Sequence, residues 1–283
     1  MNEEILKFAK KAEDAGLDPT RETLELLDRI NSGRISKNVF ENLRKKGVTP
    51  EDYISKRKKG TPHEYILGES VFMGRRFKCN SSTLIPTPET EILVREAVKV
   101  IKSRTTSKDK QVVIDLGTGS GNIAISIALE TDGIEMYASD ICGNALKVAR
   151  ENVVFHSVGH KIELRNGDIF TPFSLDEFQN EVDLIVCNPP YLPTESINRL
   201  PPEIRDFEPL KALDAGPFGI EFYVRLFDNA HNYLKDDGIL ILEIGEGQEK
   251  IVKRVAKKSK GDYHIENIMY GDQIRFLKVS PEN

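Results

Sequence analysis

Residues 183–191 read Asp183-Leu184-Ile185-Val186-Cys187-Asn188-Pro189-Pro190-Tyr191. The uninterrupted apolar run before Asn188 suits a parallel strand buried on both faces rather than an alternating surface strand. The two prolines end the strand abruptly, since neither donates a ladder hydrogen bond and each fixes φ near about −65°. One amide side chain, Asn188, is thereby left at the carboxyl end of a central strand, where open α/β sheets bind ligands.

Working outward from that strand, the pattern alternates strand and helix from Gln111 onward. Strands are expected at 112–116, 134–140, 161–165, 182–187 and 238–245, with helices near 122–129, 142–154 and 219–234. Segments 263–268 and 274–279 flank Gly271-Asp272-Gln273 and read as a terminal antiparallel hairpin. The fold class is therefore α/β: a doubly wound, mostly parallel sheet of seven strands with a C-terminal antiparallel hairpin.

A small helical bundle is expected ahead of it, over residues 1–62. Apolar residues recur at helical spacing over 4–15, with Gly16 as the stop. Thr20 and Ser36 are the expected caps of a second and third helix, and Thr49-Pro50-Glu51-Asp52 opens a fourth. The basic runs Arg44-Lys45-Lys46 and Lys56-Arg57-Lys58-Lys59 read either as solvated helix ends or as a docking surface. Residues 63–84 read as a β-hairpin linker, and residues 85–283 as the α/β domain. In it, 87–89 opens a further helix running to about 103.

Composition narrows the function. Of 283 residues, 30% are charged and none is Trp, as in a water-soluble globular chain, and no apolar run approaches membrane length. The opening Met-Asn-Glu-Glu has no basic n-region ahead of an apolar stretch, so no secretory leader is expected. Cys79, Cys142 and Cys187 are odd in number and widely spaced, which favours a reducing cytoplasm over a disulfide framework or a zinc site. Residues 1–60 hold 14 Lys+Arg against 11 Asp+Glu, and the remainder 26 against 34. An acidic main domain is a poor partner for bare DNA, so no direct DNA binding is expected. His156 and His160 stand four apart, but Gly159 interrupts the helix and no third ligand is evident, so no metal is expected.

The cofactor reading rests on three successive strand ends. Ile114-Asp115-Leu116-Gly117-Thr118-Gly119-Ser120-Gly121 ends one strand and opens a helix. Its glycines permit a tight turn and close backbone approach to a ligand. The spacing is GxGxG, not the GxGxxG of a dinucleotide site. Asp140 ends the next strand, where a carboxylate would take both hydroxyls of a ribose. Asp168 follows the third, placed to accept from an adenine amine while Ile169 packs on the ring.

Together with Asn188-Pro189-Pro190-Tyr191 after the fourth strand, this order resembles the class I S-adenosylmethionine-dependent methyltransferases. The tetrapeptide matches the (N/D/S)PP(Y/F) motif of those that act on planar nitrogens. The wider pattern resembles the HemK/PrmC family of protein-(glutamine-N5) methyltransferases. It is carried by 65–68 (YILG), 84–91 (LIPTPETE), Asn122-Ile123-Ala124, Ala212-Leu213-Asp214 with Gly216, Glu243-Ile244-Gly245 with Gln248, and Asp272-Gln273 with Arg275. Thr87 departs from that family's usual arginine.

The resemblance implies S-adenosylmethionine as cofactor, held by Gly117, Thr118, Gly119, Ser120, Gly121, Asp140, Ile141, Asp168, Ile169 and Asn188. It implies release factors as partners, with the glutamine of their GGQ motif as acceptor, and the bundle as a docking element. Asn188 and Pro189 are the candidate catalytic residues, with Asn188, Pro189, Pro190 and Tyr191 binding the acceptor. The Asn188 oxygen and the Pro189 carbonyl can each accept one N–H of an amide. Tyr191 is expected to pack against the flat acceptor group. Residues 192–217, irregular and proline-rich, are expected to form a rim admitting a protein loop. Two other functions share part of the pattern: an adenine-N6 DNA methyltransferase, and a non-catalytic module that binds S-adenosylmethionine.

Overall fold

The computed structural model describes residues 2–35, 38–104 and 110–282. The described chain begins with helices α1 (Asn2–Asp14), α2 (Pro19–Asn31), α3 (Val39–Lys45), α4 (Pro50–Lys58) and α5 (His63–Leu67). Phe8, Leu26, Ile30, Leu43 and Tyr53 form their shared core, which also takes in Ile66 and Leu67. The helical unit therefore runs into the segment expected to be a β linker.

One cap differs from expectation. Asp18, not Thr20, caps α2, accepting from the backbone N–H of Thr20 and Arg21 at 2.9 and 3.1 Å. Pro19 explains this: it takes the first helical position and holds the residue before it extended. Ser36 lies outside the described residues. Thr49 caps α4 as expected, exchanging hydrogen bonds with Asp52 in a capping box.

The basic runs are mostly partnered within the fold. Arg44 pairs with Glu4 at 2.7 Å, Lys45 with Glu41 at 2.6 Å, and Lys46 donates to the Leu67 carbonyl. Arg57 is 4% exposed, the reverse of a solvated helix end. Its guanidinium contacts Glu22 at 2.8 Å, Glu25 at 2.9 Å and, across the molecule, Glu203 at 2.5 Å.

The hairpin consists of β1 (Glu69–Phe72) and β2 (Arg75–Lys78). Met73 and Gly74 turn between them with φ of 51° and 71°. Two successive positive φ values give the type I′ geometry that matches strand twist. The hairpin is one structural unit with the sheet domain: Phe72 and Phe77 enter its core, and the Asn152 side chain bonds both N–H and C=O of Lys78.

After the hairpin come α6 (Thr90–Ser103), β3 (Gln111–Leu116), α7 (Asn122–Glu130), β4 (Ile134–Asp140), α8 (Gly143–Phe155), β5 (Ile162–Asn166), α9 (Leu175–Phe178) and β6 (Val182–Cys187). Then follow α10 (Pro202–Arg205), α11 (Glu221–Ala230), β7 (Leu234–Glu243), α12 (Glu249–Lys258), β8 (Tyr263–Tyr270) and β9 (Gln273–Pro281). The seven-stranded sheet has order β5-β4-β3-β6-β7-β9-β8. Strands β3 to β7 pair in parallel, and β9 inserts antiparallel between β7 and β8.

Both faces of β6 are covered. Leu184 and Val186 join the core with α6 and α7, while Ile185 and Cys187 join the opposite core with α11 and α12. That explains an apolar run without alternation. Helix α12 is additional to the expected elements, and Val252 and Ala256 mark its buried face. Strand β7 starts earlier than expected because Leu234 already pairs with Val182, and a register shift follows before Leu184 meets Ile239.

Replacing Arg57 by Met would leave Glu22, Glu25 and Glu203 without their shared counter-charge. The loss expected in urea denaturation is about 3–5 kcal/mol, together with faster proteolysis of 192–217. A loss under about 1 kcal/mol would refute the clamp.

Candidate functional site

Strand register brings the site together. Leu116 of β3 and Cys187 of β6 are direct partners, and the Cys187 thiol lies 3.1 Å from the Leu116 carbonyl. Gly117 and Asn188 therefore leave the sheet side by side. The chain winds outward from β3 through β4 to β5, then returns to place β6 on the other flank, so this is the topological switch point. On the other side Leu116 pairs with Ser139, and Asp140 with Asn166. Four strand ends thus open into one cavity of about 780 Å³.

Gly117, Gly119 and Gly121 have φ of 74°, 55° and 81°, a region that costs other residues about 1–2 kcal/mol each. Asp140 fastens the loop: one oxygen accepts from Gly119 N–H and the other from Cys142 N–H, both at 2.8 Å. A carboxylate has roughly four acceptor positions, so about two remain for a ligand. Burial raises the Asp140 pKa, and these two backbone bonds pull it back.

Beneath the loop lies Asp115, fully buried and outside the expected cofactor residues. Its Oδ2 accepts from the Thr118 hydroxyl at 2.6 Å and Ala124 N–H at 3.2 Å, while Oδ1 has no partner among the described residues. Burial pushes its carboxyl up to about 7 against those two bonds.

Gly117, Thr118, Gly119, Ser120, Asp140, Ile141, Asp168, Ile169, Asn188, Pro189 and Pro190 all border the cavity. Ile141 is half-exposed at its edge. Ile169 is mostly buried and has φ of 49°, an unusual conformation for a β-branched residue. Gly121 stands behind the cavity. A Cβ there would meet Ile125 at 3.0 Å and Ala149 at 3.4 Å, so it permits close approach of α7 and α8.

Asp168 meets a partner the sequence did not reveal. Its carboxylate pairs with Arg225 of α11 at 2.5 Å, and Arg225 itself borders the cavity. A lone arginine on an amphipathic helix carries no signal of its own.

Asn188 is held from behind. Its Nδ2 donates to Thr90 Oγ1 at 3.1 Å, and Thr90 donates to Glu243 Oε2 at 2.7 Å. Thr87 Oγ1 lies 3.1 Å from Thr90 Oγ1. The Asn188 oxygen is thus left to the cavity side. Tyr191 differs from expectation: it does not border the cavity but packs into the α11–α12 core. Its carbonyl accepts from Gln248 Nε2 at 2.8 Å, and its ring lies 3.0 Å from where a Cβ on Gly245 would sit. Gln248 draws Tyr191 to the β7 side, away from the opening.

Residues 192–217 close on themselves. Leu192 N–H bonds the Leu213 carbonyl and Ala215 N–H bonds the Leu192 carbonyl, at 3.0 and 2.9 Å. Pro209, Leu210, Lys211 and Ala212 form one wall of the cavity. Glu203 carries the excursion onto the bundle through Arg57, so the expected rim is anchored at both ends.

The site can be compared with known proteins. A family model described as methyltransferase small domain matches residues 93–199. A release factor glutamine methyltransferase from Thermodesulfovibrio yellowstonii is 38% identical over 211 residues, covering 75% of this chain and 73% of its own. Another from Bacillus anthracis is 33% identical over 270 residues, 93% of each chain. The chain belongs to the release factor glutamine methyltransferase family.

Among solved structures, a methyltransferase from Pyrococcus furiosus shares the fold with TM-score 0.51 at 17% identity, covering 74% of this chain and 90% of that one. The hMettl16 catalytic domain, solved with a MAT2A 3'UTR hairpin, gives 0.55 at 15% identity, covering 82% and 93%. At such identities the likeness concerns fold alone.

In this member of the glutamine methyltransferase family, Asp115 has a clear pH signature. Its folded-state pKa lies above that of an exposed aspartate, so the folded chain holds the proton more tightly. Stability contributed by the protonated form is complete below about pH 4 and lost as pH rises to about 7. Asp115→Asn is expected to flatten that decline and to stabilise the protein above pH 7 by on the order of 1–4 kcal/mol. Melting temperatures of both proteins between pH 4 and 8 measure it; parallel curves would rule it out.

Proposed function

We propose that the chain transfers a methyl group from S-adenosylmethionine to the side-chain amide nitrogen of the glutamine in the GGQ motif of peptide chain release factors. The observation that carries this is the Asn188 side chain. With Nδ2 engaged by Thr90, its Oδ1 stands free beside the glycine loop as a hydrogen-bond acceptor.

The cavity suits the cofactor. Asp140 keeps acceptor positions for ribose hydroxyls, Ile141 and Ile169 offer apolar surface for a base, and Gly117 to Ser120 allow close backbone approach. Asp168 is available for an exocyclic amine through the oxygen that Arg225 does not hold. When bound, S-adenosylmethionine supplies an electrophilic methyl on a sulfonium.

The remaining work falls to the protein. A carboxamide nitrogen is a poor nucleophile because its lone pair is delocalised into the carbonyl. Asn188 Oδ1 and the Pro189 carbonyl accept its two N–H groups, fix its orientation and stabilise the positive charge that grows on it. The nitrogen becomes acidic on methylation and releases its proton to water, so no strong base is required. The Pro209–Ala212 wall admits the loop carrying the glutamine. The bundle, tied to that wall by Arg57 and Glu203, docks the rest of the substrate. Three free cysteines fit a reducing cytoplasm. Among the described residues no helix is long and apolar enough to cross a membrane.

Incubation with labelled cofactor and a release factor, followed by mass spectrometry, is expected to place one methyl on the GGQ glutamine. Asn188→Ala should lower kcat on the order of 10²–10³-fold while the cofactor still binds. Asp140→Asn should instead weaken cofactor binding on the order of tenfold or more, read by calorimetry. Methylated DNA with unmodified release factor would overturn the assignment.

A further inference from the structure

A primary amide has two faces of opposite polarity, and only one suits a clamp for an N–H donor. If the Asn188 side chain turned over, its NH2 would meet the NH2 of the acceptor. Asn188 cannot choose between these orientations by shape, since its oxygen and nitrogen are nearly the same size. The choice has to come from its neighbours. Resting on the reading of Asn188 as the acceptor clamp, we propose that Thr90 and Glu243 are positioning residues that fix the polarity of its amide.

The hydrogen-bond inventory gives one solution. A threonine hydroxyl has one proton to donate and two lone pairs. Glu243 is 2% exposed, and Thr90, also 2% exposed, meets the cavity only at its edge, so protein groups supply most of their hydrogen-bond partners. The ionised Glu243 carboxylate only accepts, and its Oε2 takes the Thr90 proton at 2.7 Å. Thr90 then has lone pairs alone to offer. One accepts from Asn188 Nδ2 at 3.1 Å, and the other takes the proton of Thr87, whose Oγ1 is also 3.1 Å away. All the capacity of Thr90 is used, and each bond has only one possible direction. The Asn188 oxygen is left toward the cavity.

Glu243 is itself secured. Arg275 on β9 lies 3.6 Å from its other oxygen and anchors its guanidinium on the Ile244 carbonyl at 3.1 Å. Glu89, ahead of α6, pairs with the far side of Arg275 at 3.4 Å. The other titratable groups facing Glu243 are Tyr191 and Cys187 from β6 and its exit, and Tyr223 from α11. Burial pushes the Glu243 carboxyl up to about 7, against the Thr90 bond and Arg275. Once protonated, Glu243 can donate to Thr90, whose own proton is then free to be donated to the Asn188 oxygen, which holds the amide in the wrong orientation. Turnover therefore falls on the acid side of neutrality.

Three variants test the relay in the release-factor assay. Thr90→Val keeps the volume but removes the hydroxyl. It is expected to lower kcat on the order of 10–100-fold while KM for cofactor stays within about twofold. Thr90→Ser is expected to restore at least half of kcat, and Glu243→Gln, which cannot titrate, to remove the acid limb of the kcat–pH profile. Unchanged kcat in Thr90→Val, a Thr90→Ser protein as slow as Thr90→Val, or an acid limb retained in Glu243→Gln would each overturn the proposal. Should Thr90→Val not fold, exchange in the wild-type protein decides: one Asn188 side-chain amide proton is expected to be protected, and rapid exchange of both overturns the relay. Asn188→Ala separates the two levels. If that variant keeps full activity, the clamp itself fails; if it loses activity while Thr90→Val keeps it, the relay alone fails.

Discussion

The parallel pairing of β3 with β6, in the register that sets Leu116 against Cys187, is the constraint on which the molecule depends. It makes the glycine loop and Asn188 neighbours although more than sixty residues separate them in the chain. Slipping that register by one residue would turn Leu184 and Val186 toward the wrong core and carry Asn188 out of line with Gly117. Apolar burial on both faces of β6 opposes such a slip. The same hydrophobic effect that stabilises the sheet therefore aligns the chemistry at its carboxyl edge.

Around that edge the protein buries several acids that water would otherwise solvate. Asp115 and Glu243 both sit in low-dielectric surroundings that push their carboxyls up to about 7. Each holds an element bordering the cavity: Asp115 the turn at Thr118, Glu243 the hydroxyl behind Asn188. Burial has a stability cost, but it leaves each carboxylate with few competing partners, so its bonds are directional. In contrast, Asp140 is only partly buried and spends half its acceptor positions on the backbone, which leaves the rest for a ligand.

The bundle joins this scheme through charge. Arg57 reaches from α4 to Glu203 in the excursion that walls the cavity, and Arg29 of α2 meets the same carboxylate at 3.5 Å. A basic run that resembles a solvated helix end on inspection of the sequence thus becomes an internal strut. The distinction turns on whether a long cationic side chain finds buried carboxylates from other segments, which spacing along one helix does not reveal.

Much of the site was legible from the residues themselves. An apolar strand stopped by two prolines, a glycine turn and acids at successive strand ends are local patterns, imposed by backbone sterics and by burial on both faces of a sheet. They determined the α/β class and the glycine turn, acids and Asn188-Pro189-Pro190 segment that border the cavity. Glutamine as the acceptor came from family resemblance, which the full-length relatives support. Tertiary structure alone decided which neighbours those residues met. It assigned Asp168 a partner in Arg225, drew Tyr191 into the core through Gln248, and placed Thr90 and Glu243 behind Asn188. Hydrogen bonds and ion pairs of this kind join residues 57 to 153 positions apart. Only the packed fold sets their distances and directions.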